Sequence, residues 1–347
     1  MEHLGLVGLP DSGHDRLFAA LTGLDVPGGF EKVVGVASLP DERLSALSEM
    51  SHSKKTVPAG FEVVFLPPVG AGAQPGESLG SRLLGSLRDA DAVLFVLRGF
   101  DGHDPASDLD ALEYELVLAD LASVETRLAK QRRAVKGDKG LAAEVAALEK
   151  AAAALGDGVP VYRSDLSAQE RDLLAPVFLL TNKPVLVVVN VGEAGDAGAA
   201  AGGADGADPA AAFGPDALTV AVDLEAEIAA CDPADRPELL ESFGIDESVL
   251  PRLSRAAYHL LGRRTFFTTG DKETRAWTFR AGARAPECAG VIHSDLERGF
   301  IRAEVIRWDE LLAIGSWAKA KEANRLRVEG KQYEVADGDV VEIRFNV

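Results

Sequence analysis

The chain has 347 residues, 47% of them hydrophobic, and a formal net charge of −19. That length exceeds one compact core and predicts two or three domains, and the lack of any apolar run near the roughly 20 residues of a bilayer span excludes a membrane-spanning helix. Residues 1–250 carry 19 Lys and Arg against 41 Asp and Glu, and residues 251–347 carry 17 against 14. Long-range attraction to nucleic acid is therefore excluded for the first part and open to the second.

The opening "MEHLGLVGLP" has neither the basic flank nor the cleavage pattern of a secretory signal. Cys231 and Cys288 lie far apart and match no metal spacing. Together these predict reduced structural cysteines in a cytoplasmic protein.

Taken in order, "LGLVGL" (4–9), "FEVVFL" (61–66), "AVLFVLR" (92–98), "PVLVVVN" (184–190) and "ALTVAV" (217–222) read as strands, the apolar runs among them as buried parallel ones. Strands alternating with helical pattern predict a doubly wound α/β sheet, whose ligands sit beyond the carboxyl ends of its strands. The first strand runs into "GLPDSGHD" (8–15) and then "RLFAALTG", a helical pattern. A phosphate-binding loop there requires Gly, four residues, Gly, Lys, then Ser or Thr. Gly8 and Gly13 are in place, with Asp11 and Ser12 between them, but His14 stands for the lysine and Asp15 for the hydroxyl residue.

The backbone cradle is thus expected to survive and the cation is not. An unperturbed imidazole is mostly neutral at cytoplasmic pH and reaches less far than a lysine stem. Asp11 and Asp15 add negative charge beside the phosphates; one unit repulsion at about 4 Å is worth roughly 4 kcal/mol at an effective dielectric of 20. Asp15 can also serve as a magnesium ligand, which offsets part of this. On balance, tight triphosphate binding is disfavoured.

Residues 108–157 interrupt the alternation. Leu109, Leu112 and Leu116 are spaced by 3 and 4, "KGDKG" (136–140) signals a turn, and Leu141, Val145, Leu148, Ala152 and Leu155 resume the spacing. This predicts an antiparallel helical hairpin of coiled-coil type, its first helix about 25 residues or roughly 37 Å long. "EAGDAGAAAGGADGADPAAAFG" (193–214) has no apolar face to bury and reads as a surface loop. From Arg264 strand-like segments surround one helical stretch, "DELLAIGSWAKAKEANRL", and "ADGDV" carries an Asp-Gly hairpin signal.

Over nearly its whole length the chain resembles the YchF/Obg-like ATPase family. "GLPDSGHDRLFAALT" is similar to that family's "GLPNVGKSTLFNALT". The likeness continues through "GESLGSRLLGSLRDADAVLFVLRGF" (76–100), "LLTNKPVLVVVNVGE" (179–193), "AGVIHSDLERGFIRAEVI" (289–306) and the terminal "EGKQYEVADGDVVEIRFNV". The resemblance implies a P-loop G-domain over 1–107 and 158–262, the inserted helical hairpin at 108–157, and a C-terminal TGS domain of β-grasp type at 263–347. It further implies ATP or GTP with magnesium as ligand, and a ribosomal RNA or protein partner met through the hairpin and TGS domain, with no membrane or DNA partner.

The family's "FVDIAGLVKGASKGEGLG" aligns with "VFLPPVGAGAQPGESLG" (64–80), so its magnesium-linked Asp falls on Phe65 and its γ-phosphate-sensing Gly on Pro68. Proline has no N–H to give. The first switch shrinks to "VPGGFEKVVGV" (26–36), with no matching Thr. The base-recognition Asn-x-x-Glu persists as Asn190 and Glu193. The expectation is a folded member deficient in hydrolysis, with no assigned catalytic residue and weak nucleotide binding. Two alternatives stay open: a divergent but active ATPase or GTPase using Asp15 for magnesium, and a scaffold that binds proteins without nucleotide. His293, Asp295, Glu297, Arg298 and Arg302 make the C-terminal part a candidate ribosomal contact, or else a solvated charged face.

Overall fold

The computed structural model describes residues 3–26, 32–70, 81–192, 208–243 and 245–346; of the helical residues 81–83 only the backbone is described. The chain divides into two compact units, Met1–Val36 with Glu62–Leu253, and Ala37–Phe61 with Ser254–Val347.

The first unit is built on a six-stranded sheet in the order β2-β4-β1-β5-β6-β7. These are β1 (His3–Gly8), β2 (Val33–Leu39), β4 (Ala59–Phe65), β5 (Ala92–Arg98), β6 (Val185–Asn190) and β7 (Leu218–Val220). β1 pairs in parallel with β4 and β5, and β6 in parallel with β5 and β7. All the residues of β5 but Arg98 are buried, which is why it reads as an unbroken apolar run. The chain winds one way from β1 and the other way from β5, so the switch point lies between these strands. Registry sets Gly8 beside Val96, and Arg98 beside Asn190, at the carboxyl ends.

Helices α1 (His14–Thr22), α2 (Glu42–Met50), α3 (Ser81–Asp89), α4 (Pro105–Ala134), α5 (Ala142–Gly156), α6 (Ala168–Leu173) and α7 (Val222–Ala230) follow in chain order. α4 has 30 residues, or about 45 Å at 1.5 Å per residue. It starts at Asp104, whose carboxylate accepts the Ala106 and Ser107 N–H groups, with Pro105 in the first turn. Val124 and Leu128 of α4 pack with Ala147, Leu148, Ala151 and Leu155 of α5. Glu144 joins the two, accepting from Arg127 at 2.7 Å and Gln131 at 2.8 Å. Asp120, fully buried in mid-α4, accepts from the N–H of Leu180 (3.0 Å), the N–H of Thr181 (2.7 Å) and the Thr181 hydroxyl (2.7 Å). That carboxylate fixes α4 to the segment entering β6.

The second unit carries a six-stranded sheet in the order β11-β10-β12-β8-β9-β3. Its strands are β3 (Thr56–Val57), β8 (Arg263–Thr268), β9 (Thr274–Arg280), β10 (Phe300–Arg307), β11 (Arg327–Glu329) and β12 (Asp339–Phe345). β8 and β12 are adjacent and parallel, flanked by the antiparallel partners β9 and β10. With the helix Ala285–Ile292 between β9 and β10, this is the β-grasp arrangement.

Sequence reasoning missed four features. Residues 33–39 form β2, where the sequence reading saw only a shortened switch. Residues 37–61, carrying α2, β3 and the adjoining ends of β2 and β4, belong with the C-terminal unit. The Asp337–Gly338 pair makes no hairpin: the neighbours of β12 are β10 and β8, and the turn instead bonds β8, through Thr265 N–H to Asp337 (2.8 Å) and Gly338 N–H to the Thr265 carbonyl (2.8 Å). The expected single helix at 309–326 is two, Trp308–Ile314 and Trp317–Glu322, broken at Gly315 with φ +88°. Most of the 193–214 loop lies outside the described residues.

Candidate functional site

β1 leads directly into a tight loop. Asp11 adopts φ +64°, a left-handed conformation that Asp tolerates, and Gly13 follows at φ +80° as N-cap of α1. Both glycines are required by neighbours. A Cβ on Gly8 would overlap the Ser12 hydroxyl, and one on Gly13 would sit 2.7 Å from Asn190 Nδ2. No side chain caps α1 at Gly13, and the first intrahelical bond runs from Leu17 N–H to Gly13 C=O at 2.9 Å. The amides of His14, Asp15 and Arg16 therefore precede the ladder and are available to an acceptor.

His14 turns inward. It is 2% exposed, its Nε2 lies 3.1 Å from the Leu66 carbonyl, and its Nδ1 lies 2.9 Å from Ser12 Oγ. A carbonyl can only accept, so Nε2 carries the proton and Ser12 donates to Nδ1. Phe65 stacks on the ring, centroids 5.0 Å apart at 15°. Burial lowers the imidazole's pKa, against the weaker opposing effects of the Leu66 carbonyl and Asp15. The ring is thus neutral and committed to the protein interior.

Two arginines of the site are partnered. Arg98 holds Asp108 through Nε (2.9 Å) and Nη2 (2.7 Å), while its Nη1 lies 3.4 Å from the Pro10 carbonyl. Burial alone would raise the Asp108 carboxyl, but the Arg98 bonds outweigh it and hold it below the usual range. Arg16, exposed in the first turn of α1, pairs with Asp223 of α7. Asp11 and Asp15 are exposed.

Asn190 is 2% exposed, and its carboxamide is largely spent. Nδ2 donates to the Ser12 carbonyl at 3.0 Å, and Oδ1 accepts from Gly192 (3.1 Å) and Val222 (3.2 Å). It ties the loop after β1 to the end of β6 and the start of α7. Glu193 lies outside the described residues. Val69 N–H bonds the Gly8 carbonyl at 2.9 Å and closes the loop from the β4 side.

These groups border a cavity of about 470 Å³, whose described lining includes Asp11, Gly13, His14, Asp15, Arg16, Phe65, Pro68, Phe100, Asn190 and Asp223. A magnesium triphosphate needs a cation over its outer phosphates and an N–H for the γ-phosphate. His14 faces Leu66, and Pro68 has no N–H. Among the described residues these two positions do not fit that ligand. Arg16, Arg98, Asp108 and Asp223 escaped the sequence reading, because only the fold brings residue 16 to 223.

A parallel sheet with a strand–loop–helix phosphate cradle at its switch point defines the class of P-loop G-domain proteins, here with an appended β-grasp unit. The family YchF-GTPase_C, described as "Protein of unknown function (DUF933)", matches residues 264–346. The ribosome-binding ATPase YchF of Bacillus subtilis (strain 168) is 39% identical over 361 residues, with 99% of each chain covered. That of Escherichia coli O157:H7 is 37% identical over 359 residues, again with 99% of each covered. The solved structure of the Schizosaccharomyces pombe YchF GTPase superposes with a TM-score of 0.84 at 27% identity, covering 99% of this chain and 97% of that one. The chain belongs to the YchF family.

Proposed function

We propose that this chain is a cytoplasmic, ribosome-associated binding protein of YchF type whose nucleotide site is impaired in hydrolysis. The observation that carries the impairment is the inward His14, neutral and stacked under Phe65 where a phosphate-binding cation belongs. Gly8, Asp11, Ser12, Gly13, His14 and Asp15 form the degenerate phosphate loop, and Asn190 with Glu193 the base side. Ribosome association is supported by ribosome-binding relatives that match along nearly the whole chain. The α4–α5 hairpin, read as a coiled-coil arm, and the C-terminal unit, read as a TGS domain, are the docking parts. No membrane or DNA partner belongs to this reading; among the described residues no helix is long and apolar enough to cross a membrane.

The same relatives are called ATPases, which favours a second reading: an active enzyme that uses Asp15 for magnesium. A phosphate-release assay with ATP and GTP, run with and without ribosomes, separates the two. Ribosome-stimulated turnover that Asp15→Ala abolishes would establish the second reading and defeat the first. Co-sedimentation with ribosomes on sucrose gradients at low and moderate salt tests the association itself; no co-migration at either salt removes it.

A further inference from the structure

This inference rests on the ribosome-association reading and deepens it, by naming the chemistry that the helical arm meets. Residues 1–250 are acidic on average, yet five of their 19 Lys and Arg fall within the ten positions 130–139. These are Lys130, Arg132, Arg133, Lys136 and Lys139, with one carboxylate among them, Asp138. All five are exposed at the turn that joins α4 to α5. Two carboxylates below the turn are already occupied, Glu144 by Arg127 and Gln131, and Glu149 by Arg132 at 2.8 Å. Among the described residues Lys130, Arg133, Lys136 and Lys139 have no carboxylate partner.

The helix dipole does not account for the whole cluster. Cations complement the negative end of α4, where Arg132 and Arg133 stand in the last turn. Lys136 and Lys139 come after that end and immediately before α5, whose N-terminus disfavours positive charge. Nor does the acidic average cancel them. Asp120 bonds α4 to the segment entering β6, and Ala134 lies 14 residues beyond it, about 21 Å at 1.5 Å per residue. That exceeds two screening lengths of about 8 Å at physiological salt, so the sheet's charge is screened at the turn.

The composition of the turn selects its partner. A protein interface centres on aromatic and apolar side chains and is depleted in lysine. Residues 129–140 hold no aromatic side chain, and their one large aliphatic residue, Val135, is half-buried. Lysine and arginine without an apolar centre match a phosphate backbone, whose contacts position a duplex without reading its bases. We propose that the turn of the α4–α5 hairpin grips the phosphate backbone of an RNA duplex through Lys130, Arg133, Lys136 and Lys139, independently of sequence.

The test is fluorescence anisotropy of two labelled RNA duplexes of unrelated sequence, titrated with the full chain at low and at physiological salt. The two are expected to bind alike, with an affinity that falls steeply as salt rises. The quadruple variant Lys130→Ala, Arg133→Ala, Lys136→Ala, Lys139→Ala should bind at least tenfold more weakly at low salt, with its thermal midpoint in place because all four residues are exposed. Its plot of log affinity against log salt should be flatter by roughly 3 to 4, at about 0.9 per phosphate contact on a duplex. Lys130→Arg, Lys136→Arg, Lys139→Arg keeps the charge and should bind like the parent. A parent that binds neither duplex at low salt overturns the inference, as does a quadruple variant that binds like the parent. A tenfold preference for one duplex, or polyglutamate that competes as well as unlabelled RNA, also overturns it. Co-sedimentation judges the association reading separately. A chain that binds RNA through the turn but does not migrate with ribosomes ends that reading and keeps the RNA contact; a quadruple variant that migrates with ribosomes as the parent does ends this inference and leaves that reading standing.

Discussion

Phe65 lies flat against His14, ring centroids 5.0 Å apart and planes at 15°; on the family resemblance of the sequence the two replace an aspartate and a lysine. The two replacements are one event in physical terms. A lysine ammonium beside Phe65 would be desolvated with only the exposed Asp15 carboxylate near, whereas a neutral imidazole packs on the aromatic ring and satisfies Leu66 and Ser12. Restoring one residue alone should therefore fail. His14→Lys by itself is expected to give no measurable ATP turnover and a lower unfolding midpoint. Only the combination of His14→Lys, Asp15→Ser, Phe65→Asp and Pro68→Gly is expected to raise ATP affinity at least tenfold, read by titration and phosphate release. Recovery of turnover by His14→Lys alone would contradict the coupling of these two positions.

The same burial makes stability depend on pH. The folded-state pKa of His14 is lowered from 6.5, so between the two values the unfolded chain binds the extra proton. His14's contribution is complete above about pH 6.5 and is lost as pH falls, with a slope of at most about 1.4 kcal/mol per pH unit. His14→Gln should flatten the urea-unfolding profile between pH 7.5 and 5. Burial pushes the pKa values of Glu113, Asp120 and Glu225 upward, which acts in the opposite sense, so the difference between variant and parent is the quantity to measure. Parallel profiles for the two proteins would mean that His14 titrates alike folded and unfolded.

Some of this was readable in the residues and some was not. The strands at 92–98 and 185–190 are legible because a strand buried on both faces must be apolar throughout. Strand β2 is not, since its exposed and buried residues alternate and a Pro-Gly-Gly stretch precedes it. The loss of the phosphate-loop lysine is legible at one position, but the direction His14 takes depends on Leu66, 52 residues away. Asn190 was read for its place in a motif, and its network with Ser12, Gly192 and Val222 exists only once β1, β6 and α7 are side by side. Arg43 and Asp337, 294 residues apart, left no local signal at all.

Asn190 should matter to folding before it matters to any ligand. Asn190→Ala strands the Ser12 carbonyl and the Gly192 and Val222 N–H groups in a buried setting. An expected loss of about 3 kcal/mol follows from leaving such groups unsatisfied. Urea unfolding measures it directly. Asn190→Asp keeps the acceptor for both N–H groups but turns a charge toward the Ser12 carbonyl, so it should rescue little. A cost below about 1 kcal/mol for the alanine variant would show that water replaces the tether.

Arg43 tests whether residues 37–61 are a structural part of the C-terminal unit. Its guanidinium reaches Asp41 through Nε (2.9 Å) and Nη2 (2.8 Å), and Asp337 through Nη1 (2.7 Å), while lying 5.2 Å over the Phe267 ring. Asp337 in turn accepts the Thr265 N–H, so one side chain links α2, the turn before β12 and strand β8. Removing it leaves two carboxylates facing each other with no cation between them. Arg43→Ala is expected to cost about 2–3 kcal/mol, in the range of charge-assisted bonds lost from a partly buried network. Arg43→Lys should recover less than half, because an ammonium cannot form the two-point contact with Asp41 and still reach Asp337. The readout is the stability of the β8–β12 sheet, followed by hydrogen exchange at Phe267 and Val340, whose strands pair there. Faster exchange at those amides in Arg43→Ala, with the β5–β6 amides unchanged, is the expected pattern. Equal loosening of both sheets would mean that Arg43 acts on the whole chain and not on the unit that contains it.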